Sequence, residues 1–384
     1  MDPVIALLRD LVAINSVNPS LVAGAPGEAQ IASAIAAYLR HIGLDVEVQQ
    51  VSPGRSNVIG TIEGRRAGPS LMFCGHVDTV GTDGMTAPFD PVERDGRLYG
   101  RGAQDMKGGV AAMIDATRVV AEQGLEAGRL LVAAVVDEEY ASVGADALVT
   151  RWTADAAVVT EPTDLQIAVC HKGFTWCDIE TKGRAAHGSR PADGRDAILR
   201  MGRVLHELER LDRDLQSRAP HPLMGTASLH ASLIQGGHEL SSYPDRCVLT
   251  LERRTLPSET EAVVAGEITQ LLDYLVAADP EFDASARVRF TRPAYELPPS
   301  HPLAAALQSA VARVGAESKP LTGMSFWTDA AVLGAAGIPS VLFGPGGAGL
   351  HSVEEYVEIR DVLRCRDALA ALARAWCASE KKGA

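Results

Sequence analysis

Basic residues are in short supply in this chain of 384 residues: 36 Lys and Arg stand against 49 Asp and Glu, a formal net charge of −13 at pH 7. That balance excludes a phosphate-backbone partner such as nucleic acid, which needs clustered cations to release counterions. Long apolar runs are missing too. None reaches the roughly 20 residues of a membrane-spanning helix, so no membrane partner is expected. The amino terminus, Met1-Asp2-Pro3-Val4-Ile5, lacks the basic start and small-residue cleavage site of a secretory leader. The six cysteines (Cys74, Cys170, Cys177, Cys247, Cys365, Cys377) show no Cys-x-x-Cys spacing, which argues against a zinc ribbon or a redox motif and fits a reduced, cytoplasmic setting. Internal repeats and low-complexity tracts are absent.

What the chain does have is apolar material, 46% of its residues, and a length that makes two domains the default expectation. The most informative stretch is Phe73-Cys74-Gly75-His76-Val77-Asp78. An imidazole and a carboxylate follow directly on an apolar run, as they do where a buried strand of an α/β sheet opens into a ligand crevice. Other polar groups sit in similar places: Asp105 inside Gly100-Arg101-Gly102-Ala103-Gln104-Asp105-Met106-Lys107-Gly108-Gly109, the pair Glu138-Glu139, Glu161 before Pro162, and His351 in Gly349-Leu350-His351-Ser352. Two histidines and several carboxylates at loop edges point to a two-metal site.

The first 170 or so residues alternate helical and strand patterns in the manner of an α/β domain. Helices are expected over 28–42 and 108–123, and strands over 46–51, 71–74, 129–136 and 156–160. His76, Asp78, Glu138, Glu139 and Glu161 then fall just past strand ends, and Asp105 just before a helix. From about Gly173 the rhythm changes to strand 174–181, helix 193–217, strands 227–234 and 247–254, helix 258–278 and strand 286–291. This is β-α-β-β-α-β, the ferredoxin-like order, inserted as a unit. The Pro-rich turn from Arg292-Pro293 to Pro298-Pro299 marks the return, followed by helices 301–314 and 328–336, strand 340–343 and helix 359–377. The expected division is therefore 1–173 with 293–384 as an α/β domain, and 174–292 as the insert.

Hydrolysing an amide at neutral pH needs a strong nucleophile and a hold on the developing oxyanion, and a pair of zinc ions supplies both. Zinc accepts His nitrogen and carboxylate oxygen. Asp105 suits a bridging position because it lies in a Gly-rich turn where backbone can approach closely. Adjacent Glu138 and Glu139 must point in different directions, so one can bind metal while the other remains free as general base. Asp78 can hydrogen-bond the second ring nitrogen of His76 and fix its tautomer.

With these motifs the chain resembles the zinc-dependent aminoacylase/carboxypeptidase family of the acetylornithine deacetylase and succinyl-diaminopimelate desuccinylase type. The resemblance implies a zinc-peptidase-like α/β catalytic domain with a mixed sheet, and an inserted ferredoxin-like domain that acts as lid and dimerisation surface. It implies that His76 and Glu161 ligate one zinc and Glu139 and His351 the other, with Asp105 as the bridge across a cis Asp105–Met106 peptide. Glu138 becomes the general base and Asp78 the orienting carboxylate. Gly183-Arg184-Ala185-Ala186-His187-Gly188 resembles the segment whose histidine stabilises the oxyanion, which puts His187 in that role. Glu252-Arg253-Arg254-Thr255-Leu256-Pro257 resembles the strand that brings an arginine to the substrate carboxylate; motif alignment selects Arg254 over Arg253. Gly344-Pro345-Gly346-Gly347 resembles a substrate loop, with Gly346 and Gly347 as contacts. One departure is Ser241-Ser242-Tyr243, where many members carry Asn-Val-Ile. The implied activity is deacylation of an N-acyl amino acid by a cytoplasmic homodimer with two Zn²⁺ per chain, Co²⁺ or Mn²⁺ being compatible with the same donors. The rival activities are those of a dipeptidase or glutamate carboxypeptidase with the same metals, and, from another class, a non-catalytic binding protein on a degenerate enzyme fold.

Overall fold

The computed structural model describes residues 1–315 and 319–380. The chain divides into two compact units, one made of Met1–Val169, Leu297–Thr322 and Thr328–Ala384, the other of Cys170–Glu296 and Gly323–Trp327. The short segment Gly323–Trp327 thus belongs with the insert, although it follows it in sequence.

In chain order the principal strands are β1 (Asp45–Ser52), β2 (Arg55–Glu63), β3 (Arg66–His76), β4 (Ala127–Val135), β5 (Ala156–Val159), β6 (Gly173–Lys182), β7 (Ser228–Gly236), β8 (Arg246–Thr255), β9 (Asp283–Arg292) and β10 (Ser340–Leu342). The larger unit is built on a mixed sheet in the order β1-β2-β4-β3-β5-β10. β3 runs parallel to β4 and to β5, with His76 opposite Val135 and Cys74 opposite Val159. Residues 71–76 are all buried, as expected of a strand that is covered on both faces. The sequence suggested that β3 stops at Cys74. It continues through Gly75 to His76, because the ladder to β4 persists for two more residues, so His76 closes the strand instead of following it. β2 was not expected. It lies antiparallel to β4 and to β1, and its mixture of Arg, Ser, Asn and Thr hides the alternation that would reveal a strand.

Helix Gly108–Gln123 crosses from β3 to β4 and begins hard against the end of β5: a Cβ built on Gly109 would lie 1.9 Å from the Thr160 carbonyl oxygen. That close approach leaves room only for glycine and places the turn before it, Ala103–Lys107, at the strand ends. The Asp105–Met106 peptide in this turn is cis, as the resemblance implied. A second, small sheet of this unit joins Val92–Arg94, Arg97–Tyr99, Tyr356–Glu358 and Gly347–Ala348.

The smaller unit has the expected β-α-β-β-α-β order, its four antiparallel strands lying as β7-β8-β6-β9. Odd-numbered side chains of β6 and β8 (Cys177, Ile179, Leu249, Leu251) pack on Met201, Val204, Val264 and Ile268 of helices Ala197–Ser217 and Glu261–Ala278. The first helix was expected to begin at Asp193. It begins at Ala197, because Asp196 caps it by accepting from the Leu199 N–H at 2.9 Å and Arg195, just before it, is held in extended backbone pairing with Arg184. His171 pairs with Tyr295 and Cys170 with Glu296, so the chain enters and leaves this unit side by side. Among the described residues no helix is long and apolar enough to cross a membrane.

Glycine packing gives a paired test. Gly109→Ala should cost about 3 kcal/mol, the upper range for overpacking a tight core. Gly202→Ala, inside a helix with nothing within 4 Å of the added carbon, should gain about 0.5–1 kcal/mol. Chemical denaturation of the two variants should show opposite shifts.

Candidate metal centre

Three neighbouring parallel strands deliver most of the candidate ligands. His76 ends β3, Glu138 and Glu139 follow β4 after a left-handed turn at Asp137 (φ 70°), and Glu161 lies two residues beyond β5. Asp105 comes from the turn before helix Gly108–Gln123, and His351, itself at φ 58°, from the loop between Gly347–Ala348 and Tyr356–Glu358. Residues far apart in sequence thus meet where the strands open, the usual ligand position of a parallel α/β sheet.

Asp105 sits between the two histidines. Its Oδ1 is 3.1 Å from His76 Nε2 and its Oδ2 3.3 Å from His351 Nε2, while Glu139 Oε2 is 3.1 Å from the same His351 nitrogen. Glu138 Oε2 lies 3.8 Å from His76 Nε2. Ligand atoms of His76, Asp105 and Glu139 all fall within 4.8 Å of one another, and so do those of His76, Glu138 and Glu161. Every metal-ligand candidate drawn from the sequence is therefore brought together, and Glu138 stands on the Glu161 side of the cluster while Glu139 stands on the His351 side.

The electrostatics are those of a cation site. Burial, then the charge of Asp105, pushes Glu139 up to about 7. Burial and mutual carboxylate repulsion raise Glu138 and Glu161 well above the usual range, against the pull of His76. Burial acts against the charge on Asp105 as well, but hydrogen bonds from His351 and His76 hold it below the ordinary carboxylate value. Hydrogen bonds that His351 donates to Asp105 and Glu139 lift it to about 10. The buried Glu139 Oε1 has no hydrogen-bond partner among the described residues. An orphaned carboxylate oxygen beside two imidazoles and three more carboxylates fits divalent metal, which would take up the unpaired lone pairs and the surplus negative charge.

Asp78 is fully buried and does more than face His76. The His76 Nδ1–H points at the Asp78 carbonyl, 3.0 Å away, with Asp78 Oδ1 at 3.6 Å. The Asp78 carboxylate also accepts from the backbone N–H groups of Glu138 and Glu139, each at 3.2 Å, and so fixes the turn that aims these two side chains. Sequence reasoning missed what lies behind it. Asn18 donates to Asp78 at 2.8 Å and to Asp137 at 3.0 Å; Arg55 pairs with Asp137 at 2.8 Å and with buried Glu28. These residues carry no mutual spacing in sequence, and Asn18 and Arg55 stand in polar, turn-like stretches (Asn15-Ser16-Val17-Asn18-Pro19-Ser20 and Ser52-Pro53-Gly54-Arg55-Ser56-Asn57) that give no signal of them.

The remaining candidates divide. His187 lies exposed in the smaller unit, its Nδ1 2.8 Å from the Ser189 hydroxyl, in a segment bridged to Ser242. Arg254 is half-buried on the open face of that sheet, 5.6 Å above the Phe174 ring and 2.6 Å from Glu252. Arg253 points the other way, is completely buried, and pairs with Glu259 at 2.8 Å and Glu267 at 3.1 Å. Gly346 is buried, with Asp164 Oδ1 and Asp361 Oδ2 within 2.8 Å of where a Cβ would stand, so close packing demands glycine there; Gly347 approaches the Tyr356 carbonyl just as closely. His171 is buried, donates to the Lys172 carbonyl, and is pushed by burial down to about 4. His230 is exposed on β7. The two arginines can be told apart by stability: Arg253→Met should cost about 3 kcal/mol by stranding two glutamates, and Arg254→Met should leave the thermal midpoint within 1–2 °C, a change of only a few tenths of a kcal/mol at most.

Comparison with known proteins agrees with the fold. Residues 72–375 match the family described as Peptidase family M20/M25/M40. The chain is 30% identical, over 92% of its length and 90% of the relative's, to N-formyl-4-amino-5-aminomethyl-2-methylpyrimidine deformylase of Bacillus subtilis. Its structure is similar to a tripeptidase of Staphylococcus aureus (TM-score 0.82, 20% identity, 98% of both chains) and to a dinuclear metal-binding peptidase of the M20 family from Bacillus subtilis (TM-score 0.74, 19% identity, 97% of both chains). The mixed α/β sheet with an inserted smaller unit is the architecture these structures share. The chain belongs to peptidase family M20/M25/M40 and is a hydrolytic enzyme of the metallopeptidase and amidohydrolase type.

Proposed function

We propose that this hydrolase removes the acyl group from an N-acyl amino acid, in the manner of acetylornithine deacetylase, using two zinc ions per chain. The observation that carries the proposal is Asp105, with one carboxylate oxygen turned to His76 and the other to His351 inside a ring of three further carboxylates. His76 and Glu161 would hold one ion and Glu139 and His351 the other, with Asp105 shared. Zn²⁺, Co²⁺ and Mn²⁺ all suit these N and O donors. When bound, such a pair lowers the pKa of an attacking water and polarises the scissile carbonyl.

The chain's own groups do the rest. Glu138 takes the water's proton and passes it to the leaving amine. Asp78 keeps the His76 ring in one tautomer and keeps Glu138 and Glu139 pointing apart. His187 donates a hydrogen bond to the developing oxyanion, and Arg254 with the Gly346–Gly347 loop takes the substrate carboxylate. A homodimer through the smaller unit is supported by its edge strand β7, which leaves Leu233 68% and Ile234 56% exposed; a second copy is the commonest cover for such an edge. Six free, buried cysteines support a cytoplasmic setting.

The second reading is a dipeptidase or glutamate carboxypeptidase with the same centre, and the similarity in structure to a tripeptidase favours it. The deformylase relative, which acts on an N-formyl group, favours deacylation. Turnover of a panel of N-acyl amino acids against dipeptides separates the two, and cleavage of dipeptides alone would move the enzyme to the second reading.

Protein loaded without chelator should hold two equivalents of divalent metal; a saturating value of one in active enzyme would sink the shared Asp105. Glu138→Gln should abolish turnover and keep both metals, since an amide of the same shape cannot accept the proton, whereas Glu139→Gln should lose one. Equal metal loss in both variants, or full activity in Glu138→Gln, would overturn the assignment.

His187→Ala should lower kcat by roughly 100-fold with little change in KM and both metals retained, because its contact forms mainly in the transition state. A rise in KM at constant kcat would instead make His187 a simple binding residue.

A further inference from the structure

The loop that carries His351 is a hairpin, and its far end is buried. Strands Gly347–Ala348 and Tyr356–Glu358 pair antiparallel, and Tyr356–Glu358 pairs in turn with Arg97–Tyr99, which leads straight into the turn holding Asp105. Glu355, four residues after His351, is only 1% exposed. Its carboxylate reaches across into that turn: Oε1 accepts from the backbone N–H of Gln104 at 2.9 Å and of Asp105 at 3.0 Å, and Oε2 from the N–H of Gly102 at 2.9 Å. Arg101 completes the set. Its Nη1 donates to Glu355 Oε2 at 2.6 Å, its Nη2 to the Ser352 carbonyl at 3.0 Å and its Nε to the Gly81 carbonyl at 3.0 Å.

We infer that the Arg101–Glu355 pair is a positioning device for the second metal, the one assigned above to Glu139 and His351; the inference rests on that assignment. His351 needs such a device. Its side chain is 54% exposed, so packing does little to hold it. Asp105 needs it for the opposite reason, since its turn must present one carboxylate oxygen to each side. By collecting three amides of the Asp105 turn from a residue on the His351 hairpin, Glu355 sets the spacing of two ligands that no strand holds in common. Arg101, itself anchored to the Gly81 carbonyl, grips the same hairpin at Ser352 and Glu355, so that the hairpin cannot swing away from the turn. His76 and Glu161, fixed by the parallel strands, do not depend on this link. A carboxylate that orients ligands without touching the ion typically changes metal affinity 10- to 100-fold when removed.

The test is isothermal titration of chelator-stripped, full-length protein with Zn²⁺ alone. Wild type should bind two equivalents. In Glu355→Gln, whose added NH₂ faces amide donors, the second equivalent should weaken 10- to 100-fold while the first weakens less. Arg101→Met, which leaves the three backbone contacts in place, should weaken the second equivalent by a smaller factor. If Glu355→Gln does not fold, Arg101→Met decides alone. An unchanged second affinity in folded variants, or equal weakening of both equivalents, overturns the inference, because a merely structural role would not separate the two sites. A wild type that takes up a single equivalent overturns the two-metal reading itself, and the inference with it.

Discussion

Repulsion among four carboxylates is the constraint on which the rest of the structure depends. Asp105, the adjacent Glu138 and Glu139, and Glu161 come from three separate places in the chain and converge with their side chains largely out of water. Such a group does not assemble for its own stability, since each added carboxylate raises the proton affinity of the others. The scaffold around it opposes that tendency with fixed donors. Asp78, held by Asn18, collects the two amides that lead into Glu138 and Glu139, and three adjacent parallel strands set the positions of His76, Glu138, Glu139 and Glu161. What remains unbalanced is negative charge and an unpartnered Glu139 oxygen, which makes the pocket a receptor for divalent metal. The polar chain from Glu28 through Arg55 and Asp137 to Asn18 extends this rigidity into the body of the larger unit.

Much of this was legible in the sequence because strand ends announce themselves. An apolar run that stops at His76, Glu138 or Glu161 tells both that a strand is buried and that its last residues face a crevice. The βαββαβ order of the insert was legible for the same reason, as two clean helical periods separated strands of plain alternation. Legibility failed where contacts are made by geometry with no pattern in the chain. Asn18, Arg55 and Glu355 act through hydrogen bonds to residues tens or hundreds of positions away, and nothing about a single Asn or the second Glu of Glu354-Glu355 marks it as buried. β2 escaped for a different reason: Arg55 and Asn57 face polar partners and residues 57–60 are all buried, so no period of two appears. Arg253 and Arg254, adjacent and identical in type, illustrate the limit well. Strand parity sends Arg253 into the helix-covered face beside Glu259 and Glu267 and Arg254 onto the open face beside Phe174, and a one-residue change of register would exchange them.

The neck at which the insert joins the chain has a consequence for the order of folding. β10 joins the large sheet by pairing Leu342 with Val159, a contact that spans the whole inserted unit and would close a very long loop if that unit were still unfolded. Pairing of His171 with Tyr295 and of Cys170 with Glu296 brings the two ends of the insert together, and the insert has a core of its own on two helices. Once it has folded, the chain ends that must still find each other are separated by a short, closed detour. The entropy of loop closure grows with the logarithm of loop length, so a self-contained insert with apposed ends turns the slowest step of assembling the sheet into a nearly local one. The same property makes the insert a unit whose length can change without rebuilding the metal-bearing sheet.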